Sequence, residues 1–204
     1  MAIETGATRT AGRKRDPAIE SRATAAAIEV YAEFGWQGFT FDAVARTSGV
    51  GKPAIYRRWD SREALLVDAF DRVSLPTARD LGSLRADLED YVAQWVDWYH
   101  KPHLPQAGSR VLIDGASNAE LNRLYSEVLI TPRGRAVREV TRRAIARGEV
   151  PAGTPPTLLP DIVIGSFSTH WAYTPDKTAQ SYFDSIEAYG ARLVETIIAG
   201  LSHS

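Results

Sequence analysis

The stretch from Phe41 to Asp60, FDAVARTSGVGKPAIYRRWD, constrains the fold more than any other part of the chain. Ala45 is small enough for a second helix to cross the first, and Gly49 can adopt the positive φ of a tight turn. Ile55 would return an aliphatic side chain to the shared core, and Pro53 suits the first turn of the second helix, where its missing N–H costs little. This spacing predicts a helix-turn-helix.

The flanking residues supply signals for helix starts and stops. Asp16-Pro17 fits an N-cap followed by proline at the first helical position, and Gly35 and Gly38 would end that helix. Asp60, three residues before Glu63, fits a capping box at the start of a further helix. The predicted helices run from Pro17 to about Phe34, from a cap at Thr40 to about Thr47, from Lys52 to Trp59, and from Ser61 to about Val73.

The rest of the chain also reads as helix after helix, without the alternation that is typical of strands. Proline and glycine residues separate the apolar periodic segments. The predicted helices cover Ser83 to about His100, Gln106 to Ala116, Asn118 to Arg147 with a kink or break at Pro132, Thr157 to about Tyr173, and Thr178 to about Leu201.

Composition narrows the class of protein. Residues 1–62 carry ten basic and seven acidic side chains, whereas the remainder carries 14 basic and 18 acidic ones, so the small basic excess lies with the helix-turn-helix. The chain has no cysteine, no apolar signal core and no apolar run near the roughly 18 residues that a membrane span needs. We therefore expect a cytoplasmic protein without disulfides or thiolate metal sites.

The second helix of the motif has an outward face suited to DNA. With Ile55 pointing inward, we expect five of its residues to face the major groove, where arginine pairs with guanine and apolar groups contact the thymine methyl. Residues near helix ends would contact phosphates, which fixes the register. The candidate groove residues are Lys52, Pro53, Ala54, Tyr56 and Arg57, and the candidate backbone contacts are Arg58, Thr40, Thr47, Ser48 and Arg62. The alternative is a helical hairpin with a solvated basic face.

Residues 17–70 resemble the N-terminal domain of TetR-family transcriptional regulators. The matching features are Thr40, the segment from Ala45 to Val50, Tyr56, Trp59 and the start of the next helix at Arg62-Glu63-x-Leu65. Gly51 stands where the family often has a capping serine, and Trp59 where phenylalanine is common. The resemblance implies an all-α fold, with a three-helix homeodomain-like helix-turn-helix domain plus a larger helical ligand-binding and dimerisation domain. Residues 1–15 would be a flexible basic arm, 16–60 the DNA-binding domain and 61–204 the regulatory domain, with 61–75 as the linking helix.

Aromatic residues cluster in the C-terminal part and are candidates for lining a largely apolar ligand pocket. Aromatic stripes at helical spacing also occur in ordinary cores, so that alternative stays open. Arg110 and Asp114, four residues apart, would be either polar pocket groups or a surface ion pair. The candidate ligand-binding residues are Trp95, Trp98, Tyr99, Arg110, Asp114, Tyr125, Phe167, His170 and Trp171.

The last two predicted helices are candidates for a homodimer interface, because a helix-turn-helix reads a palindromic site best as a two-fold dimer. Small residues such as Gly165 and Ser166 would allow close approach, and a wide apolar face runs through Ile186, Val194 and Ile197. The alternative is that these residues are buried within one chain.

No sequence motif indicates an enzyme: the chain lacks HExxH, GxSxG and a phosphate-binding glycine loop. We expect no catalytic residues, no metal site and no cofactor. The leading hypothesis is a homodimeric repressor that binds double-stranded DNA and is released from a palindromic operator by a small apolar or aromatic molecule, with the linking helix as the lever. The alternative is a helical ligand-binding or scaffolding protein without specific DNA readout; an activator would have the same sequence features.

Overall fold

The computed structural model describes residues 17–127, 131–174 and 180–201, apart from some side chains within helices, and the predicted arm at 1–15 lies outside them. The described residues form helices and no strand, which confirms the predicted all-α fold. The helices are α1 (Pro17–Gly38), α2 (Phe41–Ser48), α3 (Lys52–Tyr56), α4 (Arg62–Asp71), α5 (Leu84–His100), α6 (Leu104–Ser117), α7 (Ala119–Tyr125), α8 (Thr131–Ala146), α9 (Leu158–Tyr173) and α10 (Gln180–Leu201).

Helices α2 and α3 form the predicted helix-turn-helix. The Thr40 hydroxyl accepts the Ala43 N–H at 3.1 Å, which caps the start of α2. Gly49 ends α2 with φ 66°, the left-handed conformation that the sequence spacing requires. Ile55 is fully buried in the core that α3 shares with the neighbouring helices. The cap, the glycine turn and the buried isoleucine that the sequence spacing predicts are all present.

Helix α1 is longer than predicted because Gly35 kinks it without ending it. The backbone of Gly35 has φ 62° and ψ −170°, and helical structure continues to Gly38. A side chain at residue 35 would also collide with α6, since a Cβ there would lie 2.6 Å from Nη1 of Arg110. Glycine is required at this position for its backbone conformation, whereas Arg110 would only have to shift the end of its flexible side chain.

The predicted boundaries around α3 and α4 need two corrections. Helix α3 ends at Tyr56 and not at Trp59, because the N–H groups of Arg58 and Trp59 both bond to the Ile55 carbonyl in a tight turn. The N-cap of α4 is Ser61 and not Asp60, since the Ser61 hydroxyl accepts the Ala64 N–H at 3.1 Å. Capping chemistry identified the helix start to within one residue.

The long helix predicted from Asn118 to Arg147 is two helices, α7 and α8. Pro132 is the second described residue of α8, where the absence of its N–H is tolerated. Residues 128–130, between the two helices, lie outside the described residues. Helix α5 packs against α6, α8 and α10 and is the centre of the larger helical part.

One apolar core runs through both parts of the molecule. Tyr31 contacts Phe39 and Phe70 edge-on at ring-centroid distances of 5.7 and 6.4 Å, beneath the helix-turn-helix. The same buried cluster continues through α5 and α6 to Phe167 and Ile186. Helix α1 packs against both α4 and α6. The helix-turn-helix part is therefore connected to the larger helical part through α4 and through the contact of α1 with α6. None of the described helices combines the length and the apolar character that a membrane crossing requires.

A buried carboxylate fastens the start of α5 to the end of α8. Asp87 is fully buried, and its Oδ1 accepts the Leu81 N–H at 2.7 Å. Its Oδ2 accepts from Nη2 of Arg147 at 3.1 Å and lies 3.5 Å from Nη2 of Arg143. A buried charge is tolerated only when it is paired and hydrogen-bonded, as it is here.

The substitution Asp87→Asn should lower the free energy of unfolding by about 2–4 kcal/mol, because two arginines would lose a buried partner while remaining partly accessible to water. Urea unfolding followed by circular dichroism measures this. The matched control is Glu89→Gln on the same helix, which breaks only an exposed pair with Arg85 and should cost less than about 1 kcal/mol. Equal effects of the two substitutions would contradict the role assigned to Asp87.

Candidate nucleic-acid interface and ligand cavity

The outward face of α3 presents most of the predicted groove residues to solvent. Lys52, Pro53, Tyr56 and Arg57 are exposed, and Ala54 is half-buried beneath them. The Tyr56 side chain is 58 % exposed although it is aromatic, and its ring meets the ring of Phe41 edge-on at 4.8 Å. That contact supports the ring from one side and leaves the phenol outward, where a hydroxyl can donate to a phosphate or a base.

Lys52 forms an ion pair with Asp42 of α2 at 2.6 Å. Both side chains are more than half exposed, so the pair contributes little to stability. Lys52 can therefore exchange this carboxylate for a phosphate at small cost. Asp42 was not among the predicted interface residues, although it starts α2 at the edge of the same face.

Helix α2 adds polar groups beside α3. Thr40 is exposed, and because its oxygen accepts the capping N–H, its own O–H remains able to donate to a phosphate. Thr47 is exposed as well, and so is its neighbour Arg46, which the sequence analysis did not select. The signal for Arg46 was its position four residues after Asp42, on the same side of α2. Ser48 is different, because its hydroxyl donates to the Val44 carbonyl at 2.6 Å within the turn.

Two predicted phosphate contacts are directed into the chain. Arg58 is only 11 % exposed, donates from Nη1 to the Ala54 carbonyl at 3.1 Å and lies 3.5 Å from Glu20. Arg62 donates to the Phe39 carbonyl at 2.8 Å, and its guanidinium stacks on Trp36 at 4.4 Å. A cation beside the carbonyls that end α1 is favourable, so Arg62 stabilises the domain from within. The guanidinium groups of both arginines therefore have partners within the chain.

Asp114 and Arg110 of α6 hold the kinked end of α1, which neither sequence-level alternative anticipated. Asp114 accepts the Tyr31 O–H at 2.7 Å and the Trp36 N–H at 3.2 Å through one carboxylate oxygen. Arg110 donates to the Glu33 carbonyl at 3.3 Å. The expected ion pair between Arg110 and Asp114 is absent from the part of the chain that the structure describes, because each side chain is directed to α1. We name these contacts the α1–α6 junction.

The aromatic residues of α5 pack into the core. Trp98 and Tyr99 are buried, and Tyr99 stacks on buried Phe167 of α9 at 5.6 Å. Trp98 lies against α6, where a Cβ on Gly108 would come within 2.8 Å of its ring. Trp95 and Trp171 are partly buried against this core, and the side chain of Tyr125 lies outside the described residues. Burial raises the pKa of the Tyr99 phenol, which therefore stays protonated at neutral pH.

A cavity of about 670 Å³ opens between α9 and α10. Its size lies within the range of small-molecule sites. Among the predicted ligand residues whose side chains are described, only His170 lines it. The other lining residues were not among the predicted ligand residues: four are small or hydroxylated, and two, Tyr173 and Tyr189, are aromatic. The lining residues are Gly165, Ser166, Thr169, His170, Tyr173, Thr174 and Tyr189.

Comparison with protein families gives two matches along the chain. Residues 23–69 match the tetR family of bacterial regulatory proteins, and residues 78–189 match the tetracyclin repressor-like C-terminal domain. An HTH-type transcriptional regulator of Mycobacterium tuberculosis is 27 % identical over 154 residues, which are 70 % of this chain and 73 % of that protein. The matches cover both the helix-turn-helix and the larger helical part.

Solved structures share the fold at low sequence identity. FadR from Bacillus subtilis in complex with stearoyl-CoA has a TM-score of 0.69 and 18 % identity, covering 88 % of this chain and 98 % of that chain. The flavonoid-responsive regulator FrrA has a TM-score of 0.55 and 17 % identity, covering 89 % and 97 %. Both are similar over almost their entire length.

Two adjacent arginines provide a test of the outward face. Arg57→Ala should weaken binding to the preferred duplex by about 1–3 kcal/mol without changing thermal stability, because Arg57 is exposed beside Tyr56. Arg58→Ala should chiefly lower thermal stability, since its side chain contacts Ala54 and Glu20 within the chain. Fluorescence anisotropy with labelled duplex and thermal unfolding separate the two effects. Equal losses of DNA affinity in both variants would contradict this assignment of the face.

Proposed function

The chain belongs to the TetR family of transcriptional regulators, and from that premise we propose that it is a homodimeric repressor released from a palindromic operator by a small apolar or aromatic molecule. The observation that carries the proposal is the exposed face of α3, supported on a buried Ile55 and flanked by exposed polar groups of α2. An α-helix of this kind fits the major groove, where base edges can be distinguished.

The proposed DNA contacts follow from exposure. Arg57 is placed to pair with guanine, Pro53 and Ala54 to contact thymine methyl groups, and Tyr56 to donate to a phosphate or base. Lys52 would leave Asp42 for a phosphate. Backbone positioning falls to Thr40, Thr47 and, in addition to the residues predicted from sequence, Arg46.

The proposed dimer uses the exposed half of α9 together with α10. The apolar residues expected at the interface on α10, including Ile186, Val194 and Ile197, are buried within one chain. A second copy would instead meet a face of α9 whose exposed positions include a single charged residue, Asp161. A face so poor in charge is typical of the centre of an interface. Its exposed residues are Leu158, Asp161, Ile164, Gly165, Thr169, Ala172 and Tyr173.

Control of DNA binding requires coupling between the two parts of the chain. An effector acts only through its different affinity for the DNA-binding and released conformers, and a 100-fold loss of operator affinity needs about 2.7 kcal/mol. Helix α4 was the lever expected from sequence, and the α1–α6 junction supplies a second one. A shift of α6 would act on the end of α1 through Asp114 and Arg110.

The lining of the cavity indicates the chemical class of the effector. The solved neighbours differ in this respect, since FadR was crystallised with stearoyl-CoA and FrrA is described as flavonoid-responsive. The cavity between α9 and α10 combines aromatic walls with hydroxyl groups. That lining favours a small molecule with an aromatic body over a purely aliphatic one.

Selection from a random-duplex library at about 150 mM salt tests the proposed operator. We expect a palindrome whose half-sites lie one helical turn apart, about 34–36 Å, because the two helix-turn-helix units of a dimer are related by a two-fold axis. Sequencing of the retained duplexes measures this. Retention without a motif would indicate a binder that lacks sequence preference, and no retention would favour a helical ligand-binding or scaffolding protein.

The α1–α6 junction gives a separate prediction. Tyr31→Phe removes the hydrogen bond to Asp114 while keeping the buried ring, and should cost about 1.5–3 kcal/mol of stability, as expected for a bond to a charged group. Operator affinity should change by at least threefold although Tyr31 is buried beneath the domain. Urea unfolding and anisotropy provide the two measurements, with Tyr56→Phe as the exposed control that should leave stability unchanged. Wild-type operator affinity in a folded Tyr31→Phe protein would restrict the junction to a structural role.

A further inference from the structure

The wall of the cavity between α9 and α10 is built from rings in fixed positions. The imidazole of His170 stacks on the ring of Tyr189 with centroids 4.1 Å apart and planes 11° from parallel. Phe167 supports Tyr189 edge-on at 5.8 Å, and the Tyr189 O–H donates to the Ser166 carbonyl at 3.3 Å. Tyr189 is thus held at its face, at its edge and at its hydroxyl. A wall of this kind offers a planar ligand a flat surface without further ordering.

The polar groups of the cavity select the ligand further. Nε2 of His170 is buried and has no hydrogen-bond partner among the residues that the structure describes. That atom is closed off from the cavity, so the polar contacts that the described lining offers a ligand come from its hydroxyl groups. Ser166 and Thr169 place hydroxyl groups on the same lining. The lining residues that the structure describes include no aspartate, glutamate, lysine or arginine.

One side of the cavity opens onto the face of α9 that we propose for the dimer. Gly165, Thr169 and Tyr173 line the cavity and are also exposed residues of that face. Tyr173 is 84 % exposed, which leaves an aromatic ring at the rim almost wholly in water. A Cβ on Gly165 would meet no described atom within 4 Å, so the residues that the structure describes leave this side open. Small-molecule sites normally bury most of the ligand surface, and the described residues cover this one on one side only.

We propose that this cavity is the effector site, that it takes a planar aromatic molecule bearing a hydroxyl or carbonyl group, and that a second copy of the chain supplies its missing wall. This inference rests on the dimer included in the proposed function. The ligand would lie against the His170–Tyr189 stack on one side and be covered on the other by the partner's helices. One chain alone would hold it only partly.

A shared site links the effector to the dimer. If the ligand binds the dimer more tightly than the monomer, the ligand must strengthen the association of the two copies by the same factor. The effector would therefore act on the angle and spacing of the two copies, which set the separation of the two α3 helices. Release from the operator would then result from a changed dimer geometry, without dissociation of the dimer.

The test compares probe binding by the dimer and by a monomeric variant. The probe is 7-hydroxyflavone, a planar aromatic with a hydroxyl and a carbonyl, followed by fluorescence titration of the full chain. Ile164→Asp places a charge on the exposed face of α9 without touching the cavity, because Ile164 is 37 % exposed and is not a lining residue. Sedimentation and circular dichroism establish that this variant is monomeric and folded. We expect its affinity for the probe to fall at least tenfold.

A second pair of variants tests the cavity itself. Thr169→Val removes a lining hydroxyl at nearly constant volume and should weaken 7-hydroxyflavone at least fivefold, with a smaller effect on unsubstituted flavone. Thr157→Val, the same change just before α9 and outside the cavity, is the control and should have no effect. Equal effects of these two substitutions would overturn the placement of the site.

Three results would overturn the inference. A monomeric Ile164→Asp protein with wild-type probe affinity would show that one chain completes the site. An Ile164→Asp protein that remains dimeric would remove the α9 face from the interface. Absence of probe binding by the wild-type dimer would reject the ligand class. Each is distinguishable from failure of the proposed function, because selection of a palindromic operator by the wild-type chain does not depend on the probe.

Discussion

The carboxylate of Asp114 accepts both the phenol O–H of Tyr31 and the backbone N–H of Trp36, and through it α6 holds the end of α1. The contact is possible because Gly35 leaves the helical conformation immediately before Trp36, which turns that N–H towards α6. Arg110 lies against the same glycine, and the end of its flexible side chain would have to shift for a larger residue at position 35. The kink and the two polar side chains from α6 therefore help to fix the orientation of the helix-turn-helix relative to the larger part, together with the packing of α1 against α6 and of α4 against α7.

Neighbouring basic residues of the helix-turn-helix differ in exposure, and this difference defines the proposed DNA-binding face. Lys52 and Arg57 are exposed to solvent. Arg58 instead forms an ion pair with Glu20, and the guanidinium of Arg62 stacks on Trp36. Arg58 pairs with the Glu20 carboxylate, and Arg62 donates to a carbonyl at the end of α1. These contacts stabilise the domain from within. The one pair on that face, Lys52 with Asp42, is exposed and weak. A face arranged in this way can bind phosphates without breaking the fold.

Helix α9 serves two purposes in the proposed mechanism, and its composition explains how. One side contributes Val163 and Phe167 to the core, where both are fully buried. The exposed positions of the other side include one charged residue, Asp161, and the cavity beside His170 opens there. An effector in that cavity and a second copy on that face would touch the same turn of helix, so the two binding events cannot be independent. In the proposed mechanism, the α1–α6 junction would transmit a shift of α6 in the larger part to the helix-turn-helix.

Local chemistry in the sequence determined the helix-turn-helix, its caps and the all-α class. Gly49 needs a positive φ, Thr40 caps α2 and Ile55 must enter the core, and each of these demands involves residues only a few positions apart. Only the tertiary structure decided the roles of Asp114, Arg110, Arg58 and Arg62, because their partners lie far away in sequence or depend on how α1 kinks. Aromatic spacing likewise indicated Trp98, Tyr99 and Phe167 as pocket candidates, yet packing of α5 on α6 and α9 buried them. The cavity lining combines small and hydroxylated residues with His170 and two tyrosines, and it depends on how α9 and α10 approach each other, which periodicity along one helix does not encode.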